Sequence, residues 1–130
     1  MFGYEYNDGG RSKYYKGKAG DCVCRAIAIV TGLDYKEVFD DLKYYTGQNP
    51  NRGIKSHSKG LRQYMSILGF RYGIAPPATT LCEGKLPSKG KLVCLDKSHA
   101  IAVIDGVVYD SFDSRFKYKK PRVIVGYFIN

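Results

Sequence analysis

Two short segments of this sequence carry residues able to do covalent chemistry. Gly20-Asp21-Cys22 opens a nearly continuous apolar run that extends to Val30. If that run is a helix, its first residue is a thiol at the positive end of the helix dipole, where the thiolate is favoured. Gly20 lets the chain turn sharply into the helix, and the N–H of Cys22 points outward, free to bind an oxyanion. The second segment is Ser98-His99, ahead of two β-prone runs, Ala100 to Ile104 and Val107 to Asp110, with Asp105-Gly106 between them. That pattern predicts a hairpin closed by a two-residue turn. Ile104 then pairs with Val107, Ile101 lies opposite Asp110 and His99 opposite Phe112, so these last four side chains share one face. His99 and Asp110 become diagonal neighbours with Cβ atoms about 7 Å apart, within reach of one hydrogen bond. Asp113 points to the other face and Asp105 belongs to the turn, so the geometry selects Asp110.

A base held by a carboxylate, on a sheet face that packs a helix beginning with Cys, is the Cys-His-Asp arrangement of thiol hydrolysis. His99 would take the proton of Cys22, and Asp110 would fix the imidazole tautomer and steady the imidazolium. The thiolate would attack a carbonyl, and water would resolve the acyl-enzyme. Cys24 lies about 200° further round the helix, so it cannot face the same site and reads as core. Cys94, inside an apolar strand, reads as core too, and Cys82 as a loop thiol. His57, between two serines, reads as solvated.

The elements that must position these groups follow from periodicity. Alanines at 26 and 28 and Gly32 beyond the run make the Cys22 segment a buried helix with a Gly cap. Asp34, followed three residues later by Glu37, starts a second helix in the manner of a capping box; Val38, Leu42 and Tyr45 give its apolar face and Gly47 its end. Leu61, Tyr64, Met65 and Leu68 keep helical spacing ahead of Gly69 and predict a third. Beyond Gly69 the period changes. Strands are predicted over 70–74, 91–95, 100–104, 107–110 and 123–128. Helices first and antiparallel strands after describe an α+β protein, its N-terminal helices packed on a C-terminal sheet. The 130 residues suit one domain, with residues 1–20, rich in Gly, Tyr and charge, as an irregular basic arm.

The order of Cys on a central helix, then His and Asp on successive strands, resembles the papain-like cysteine peptidase fold. More closely, Asn7-Asp8-Gly9-Gly10-Arg11, Gly20-Asp21-Cys22-Val23-Cys24-Arg25-Ala26, Tyr35-Lys36-Glu37-Val38, the segment from His99 to Asp110 and Gly126-Tyr127-Phe128 resemble a group of small phage and prophage proteins. The resemblance implies a phage-encoded protein of the bacterial cytoplasm, with Cys22 as nucleophile, His99 as base and Asp110 as orienting residue. Where papain-like peptidases carry an oxyanion-binding Gln ahead of the Cys, this chain has Lys16. Asp21, Lys16, Asn7 and Arg25 are therefore candidates for oxyanion or substrate contact, beside Lys18 and the backbone alone. Arg25 reads equally as the partner of a carboxylate, Asp21 or Asp34, or as a holder of a substrate acid.

Charge narrows the partners. Lys and Arg number 21 against 12 Asp and Glu, a net charge of +9, which favours acidic partners. Basic residues gather with tyrosines around Lys13, Lys16 and Lys18, and again around Lys119, Lys120 and Arg122. The first expectation is a hydrolase acting on an amide or thioester of a protein or peptide, with an acidic substrate favoured. The second is a catalytically silent basic protein on the same fold that binds a host protein or nucleic acid through those residues. No apolar run is long enough to span a membrane. Native Met1, no secretory leader and four cysteines without disulfide spacing fit a cytoplasmic protein. Cys-x-Cys without a second pair does not build a structural zinc site, no Gly-rich phosphate loop occurs, and no Cys-x-x-Cys supports redox chemistry; no cofactor is expected.

Overall fold

A computed structural model describes residues 2–17, 19–82 and 85–130; Lys18 lies outside them. Within these residues the chain forms α1 (Cys22–Thr31), α2 (Tyr35–Thr46) and α3 (Lys59–Ile67). It also forms strands β1 (Gly3–Tyr6), β2 (Arg71–Ile74), β3 (Lys91–Leu95), β4 (Ala100–Ile104), β5 (Val107–Asp110), β6 (Phe116–Lys117), β7 (Lys120–Pro121) and β8 (Gly126–Ile129). The three helices begin and end where local chemistry directs. Asp34 caps α2 by accepting from the Lys36 N–H, Ser58 caps α3 through the Leu61 N–H, and Gly32 and Gly47 close α1 and α2 in the left-handed conformation. Asp21, at the head of α1, does not cap it, because its carboxylate is committed to other partners described below.

Six strands form one sheet in the order β1-β5-β4-β3-β8-β2. The β4–β5 hairpin has the expected register, Ile104 opposite Val107 and Ala102 opposite Tyr109. Its Asp105-Gly106 turn has positive φ at both residues, as the strand twist demands. Every pair is antiparallel except β1 with β5. The sheet is therefore mixed, and residues 3–6 are its edge strand rather than irregular arm. A four-residue strand whose partner lies a hundred positions away carries no local signal. The last strand starts at Gly126, later than the apolar run suggests, because Val123 bridges instead to Thr80.

Both faces of the sheet are covered. Val93, Leu95, Ala100, Ala102 and Phe128 join the helices in one cluster. Leu92, Cys94, Ile101, Val103 and Val108 pack with Phe2, Ala75, Leu81, Leu86 and Ile124 in a second. Burial on both sides explains why β3 and β4 read as unbroken apolar runs. No helix among the described residues is long and apolar enough to cross a membrane.

The N-terminal segment is tied to α1 by a close backbone approach. A Cβ on Gly9 would lie 2.8 Å from the carbonyl oxygen of Arg25, and Gly9 has φ +70°. Gly17 has a similar φ, +74°, with nothing among the described residues within 4 Å. Gly17→Ala therefore meets only the left-handed backbone cost, about 1–2 kcal/mol. Gly9→Ala adds overpacking of roughly 1–3 kcal/mol and should unfold at clearly lower urea concentration. Equal midpoints for the two variants would show that the segment does not pack on α1 in this way.

Candidate active site

Cys22 is the first residue of α1, His99 immediately precedes β4, and Asp110 ends β5. The three meet at one end of the sheet, where α1 packs across β4. His99 Nε2 lies 2.7 Å from Asp110 Oδ2, which leaves Nδ1 as the ring nitrogen for the sulfur. Phe112 lies against the imidazole, ring centroids 5.2 Å apart.

The electrostatics follow from the contacts. Burial acts to raise the Cys22 pKa, but the hydrogen bond and charge of His99, the Ala100 N–H and the charge of Arg25 outweigh it and bring the thiol below its ordinary value. Burial acts to lower the His99 pKa, and Asp110 and Cys22 more than reverse this, lifting it to about 9. Asp110 is likewise held below the usual carboxylate range: burial opposes, and His99 and Arg25 prevail. Opposite shifts in thiol and imidazole favour the thiolate–imidazolium pair. Burial pushes the Cys24 and Cys94 thiols up to about 12.

The expected contact is present, by a route that differs in one respect. Ile101, which the hairpin register sets on the same face as His99 and Asp110, packs in the cluster away from the helices. The face shared at mid-strand is thus not the one α1 covers. His99 and Asp110 reach the thiol because both lie past the end of the β4–β5 ladder, whose last pair is Ala102 with Tyr109.

Asp110 is also bound from α1. Arg25 Nη1 donates to Asp110 Oδ1 at 3.1 Å and to Ser111 Oγ at 2.6 Å, while its Nε donates to Asp21 Oδ1 at 2.9 Å. Helical spacing explains this, since Asp21, Cys22 and Arg25 fall within one turn. Asp21 Oδ2 accepts from Tyr35 at 2.6 Å and from Arg11 Nη1 at 3.0 Å, and Arg11 Nη1 also donates to Asn51 Oδ1 at 2.8 Å. A second pair fixes the backbone of His99. Asp96 Oδ1 accepts the N–H groups of Ser98 and His99, and Asp96 Oδ2 pairs with Arg122, whose Nε donates to the Ser114 carbonyl.

Several expected roles are corrected. Arg122 is 6% exposed, so it is not a basic-surface residue; it holds Asp96 and through it the turn that carries His99. Lys13, Lys119 and Lys120 are exposed as expected. Arg25 pairs with Asp21 and Asp110, not Asp34. Asp21, 1% exposed and accepting from three donors, is not placed to touch an oxyanion. Asn7 is used within its own loop: its Oδ1 accepts from Gly9 N–H, and its N–H donates to the Asp110 carbonyl. Lys16 lines a separate cavity of about 690 Å³ with Tyr6, Tyr15 and Phe112, whereas Cys22 and His99 line a cleft of about 920 Å³.

Sequence reasoning missed three contributors. Asp96 was announced only by Asp-x-Ser-His, an Asx-turn pattern whose side chain accepts the N–H two residues on. Arg11 looked like one more surface cation. Gln48, on the far side of Cys22 in the sequence from Lys16, lines the cleft with Cys22. Its Oε1 accepts the Lys55 N–H at 3.1 Å, which leaves the carboxamide nitrogen as its donor.

Among the described residues, no cluster of three or more His, Cys, Asp or Glu side chains is arranged to hold a metal ion. No family model, no curated protein and no solved structure matches the chain.

The geometry makes a direct prediction for thiol reactivity. Iodoacetamide should modify Cys22 well below pH 8.5, the value of about 8.5 being that of an ordinary thiol, while Cys24 and Cys94 stay unmodified in the folded protein. His99→Ala removes the largest part of the compensation, leaving the Ala100 N–H and Arg25 against the burial, so the Cys22 pKa should rise and its rate near neutral pH should fall roughly tenfold or more. Peptide mass spectrometry across a pH series reads both. A pH profile unchanged by the substitution would separate His99 from the thiol.

Proposed function

We propose that this protein is a papain-like cysteine hydrolase acting on an amide or thioester bond of a protein or peptide. The observation that carries the reading is the imidazole of His99 held between Asp110 and Cys22, with the thiol and imidazole shifted in opposite directions. An α+β architecture with the thiol at the head of a helix laid on the sheet supports it, as does an open cleft with Cys22 and His99 in its lining.

The chemistry would run as follows. The Cys22 thiolate bonds to the carbonyl carbon, and the C=O π pair moves to oxygen. Collapse breaks the bond to the leaving group, amine or thiol, which carries off the proton of the His99 imidazolium and leaves His99 neutral. Water then attacks the acyl-enzyme while neutral His99 takes its proton, and the C–S bond breaks to restore the thiolate–imidazolium pair. The oxyanion would be met by the Cys22 N–H at the start of α1, with the Gln48 carboxamide as the side-chain donor that takes the place Lys16 does not fill. Asp110 would keep the proton on Nε2 and orient the ring. The same acyl-enzyme would serve transfer or deamidation if an acceptor other than water resolves it. Four free thiols suit a reducing compartment, and the resemblance to phage proteins suits the bacterial cytoplasm.

An acyl-transfer probe with a fluorescent leaving group tests the reading. Cys22→Ala should abolish turnover, and His99→Ala should lower it by about 100-fold or more. Asp110→Asn should lower it less than His99→Ala if orientation is its main contribution. Turnover that survives Cys22→Ala would remove the nucleophile from the mechanism and leave the binding-protein alternative.

A further inference from the structure

The walls of the cleft carry charge of one sign. Its floor is formed by Ala19, Gly20, Cys22 and Val23. One wall is the 48–57 loop, presenting Arg52, Lys55 and His57; the other is the 95–100 turn, presenting Lys97 beside His99. Arg52, Lys55 and Lys97 are exposed, and no ion pair among the described residues takes any of them. Lys117 continues the second wall in the adjoining depression that also borders His99. No carboxylate is among the residues described as lining the cleft, although the chain has 12 acidic residues for its 21 basic ones. The nearest carboxylates, Asp21, Asp96 and Asp110, are buried and already paired.

From this, and resting on the cysteine-hydrolase reading, we infer that the cleft takes an acidic peptide segment, with carboxylate side chains on both sides of the reacting carbonyl. Cations facing each other across a concave site concentrate the potential there and draw anions in. Cations on both walls, with the thiol between them, call for negative charge on either side of the scissile bond. Val23, Ile54, Leu95 and Phe112 line the same space and supply apolar contact for side-chain stems. A nucleic acid would satisfy the cations but carries no peptide amide or thioester, the bonds on which the cysteine-hydrolase reading rests.

Two measurements separate this inference from the reading beneath it. In the first, matched peptide vinyl sulfones flanked by Glu, Gln or Lys compete for Cys22, each rate being divided by that of iodoacetamide for the same protein. The Glu-flanked probe should react roughly tenfold faster than the Lys-flanked one at low ionic strength. The preference should collapse at high salt and in the triple variant Arg52→Gln, Lys55→Gln, Lys97→Gln. In the second, a fluorescein-labelled glutamate-rich peptide binds Cys22→Ala, read by anisotropy, with a single-stranded oligonucleotide as competitor. This arm needs no reactive thiol. Binding without reactivity in the wild type would keep the acidic specificity and sink the hydrolase. Reactivity without preference for the Glu-flanked probe would sink the specificity and keep the hydrolase. Tighter binding of the oligonucleotide than of the peptide would also overturn the inference and point to nucleic acid.

Discussion

The site depends on one carboxylate being shared. Asp110 gives one oxygen to His99 and the other to Arg25, and this joins the reactive pair to a ladder of alternating charge: Arg11, Asp21, Arg25, Asp110, His99 and Cys22. Removing one partner of a buried ion pair typically costs about 3–5 kcal/mol, because the other is left uncompensated. Each interior member here is bound from two sides. With thiolate and imidazolium at its end, the ladder holds three cations and three anions. With thiol and neutral imidazole it holds two of each. A proton can therefore pass between Cys22 and His99 without changing the net charge of the interior.

The chain termini secure that arrangement. β1 pairs alongside β5, and Tyr6 stands opposite Asp110 in that pairing, so the last residue of β5 is held in line although the β4–β5 ladder has ended. The Gly9 turn packs on the backbone of Arg25, and Arg11, just beyond it, reaches Asp21. From the C-terminal side, Arg122 fixes Asp96, which fixes the backbone of His99. Positioning thus comes from both ends of the sequence.

The parts legible in the sequence are those set by local rules. Asp105-Gly106 fixes the hairpin register, and with it the meeting of His99 and Asp110. The apolar run after Asp21 and the cap at Gly32 fix α1 and the place of Cys22. What local rules do not carry was read wrongly or not at all. Ile101 turned away from the helices because a two-sided sheet gives an apolar strand no pattern that distinguishes its faces. Arg11 and Arg122 looked like surface cations because a buried charge is recognised by its partner, and Asp21 and Asp96 meet them through the tertiary fold. β1 was hidden for the same reason.

The distribution of charge follows from the same division. Among the described residues, the buried charged side chains are Arg11, Arg25 and Arg122 with Asp21, Asp96 and Asp110, equal in number and paired. Burial in a low dielectric enforces that equality, since an unpaired interior charge would shift its pKa or unfold the site. The excess of +9 therefore lies outside these six residues, where solvent screens it at little cost to stability. It is unevenly placed there: the cleft beside Cys22 has cations on both walls and no carboxylate among the residues described as lining it. A neutral interior lets the thiol be tuned by its immediate neighbours, while the charged rim can act on whatever approaches without disturbing that tuning.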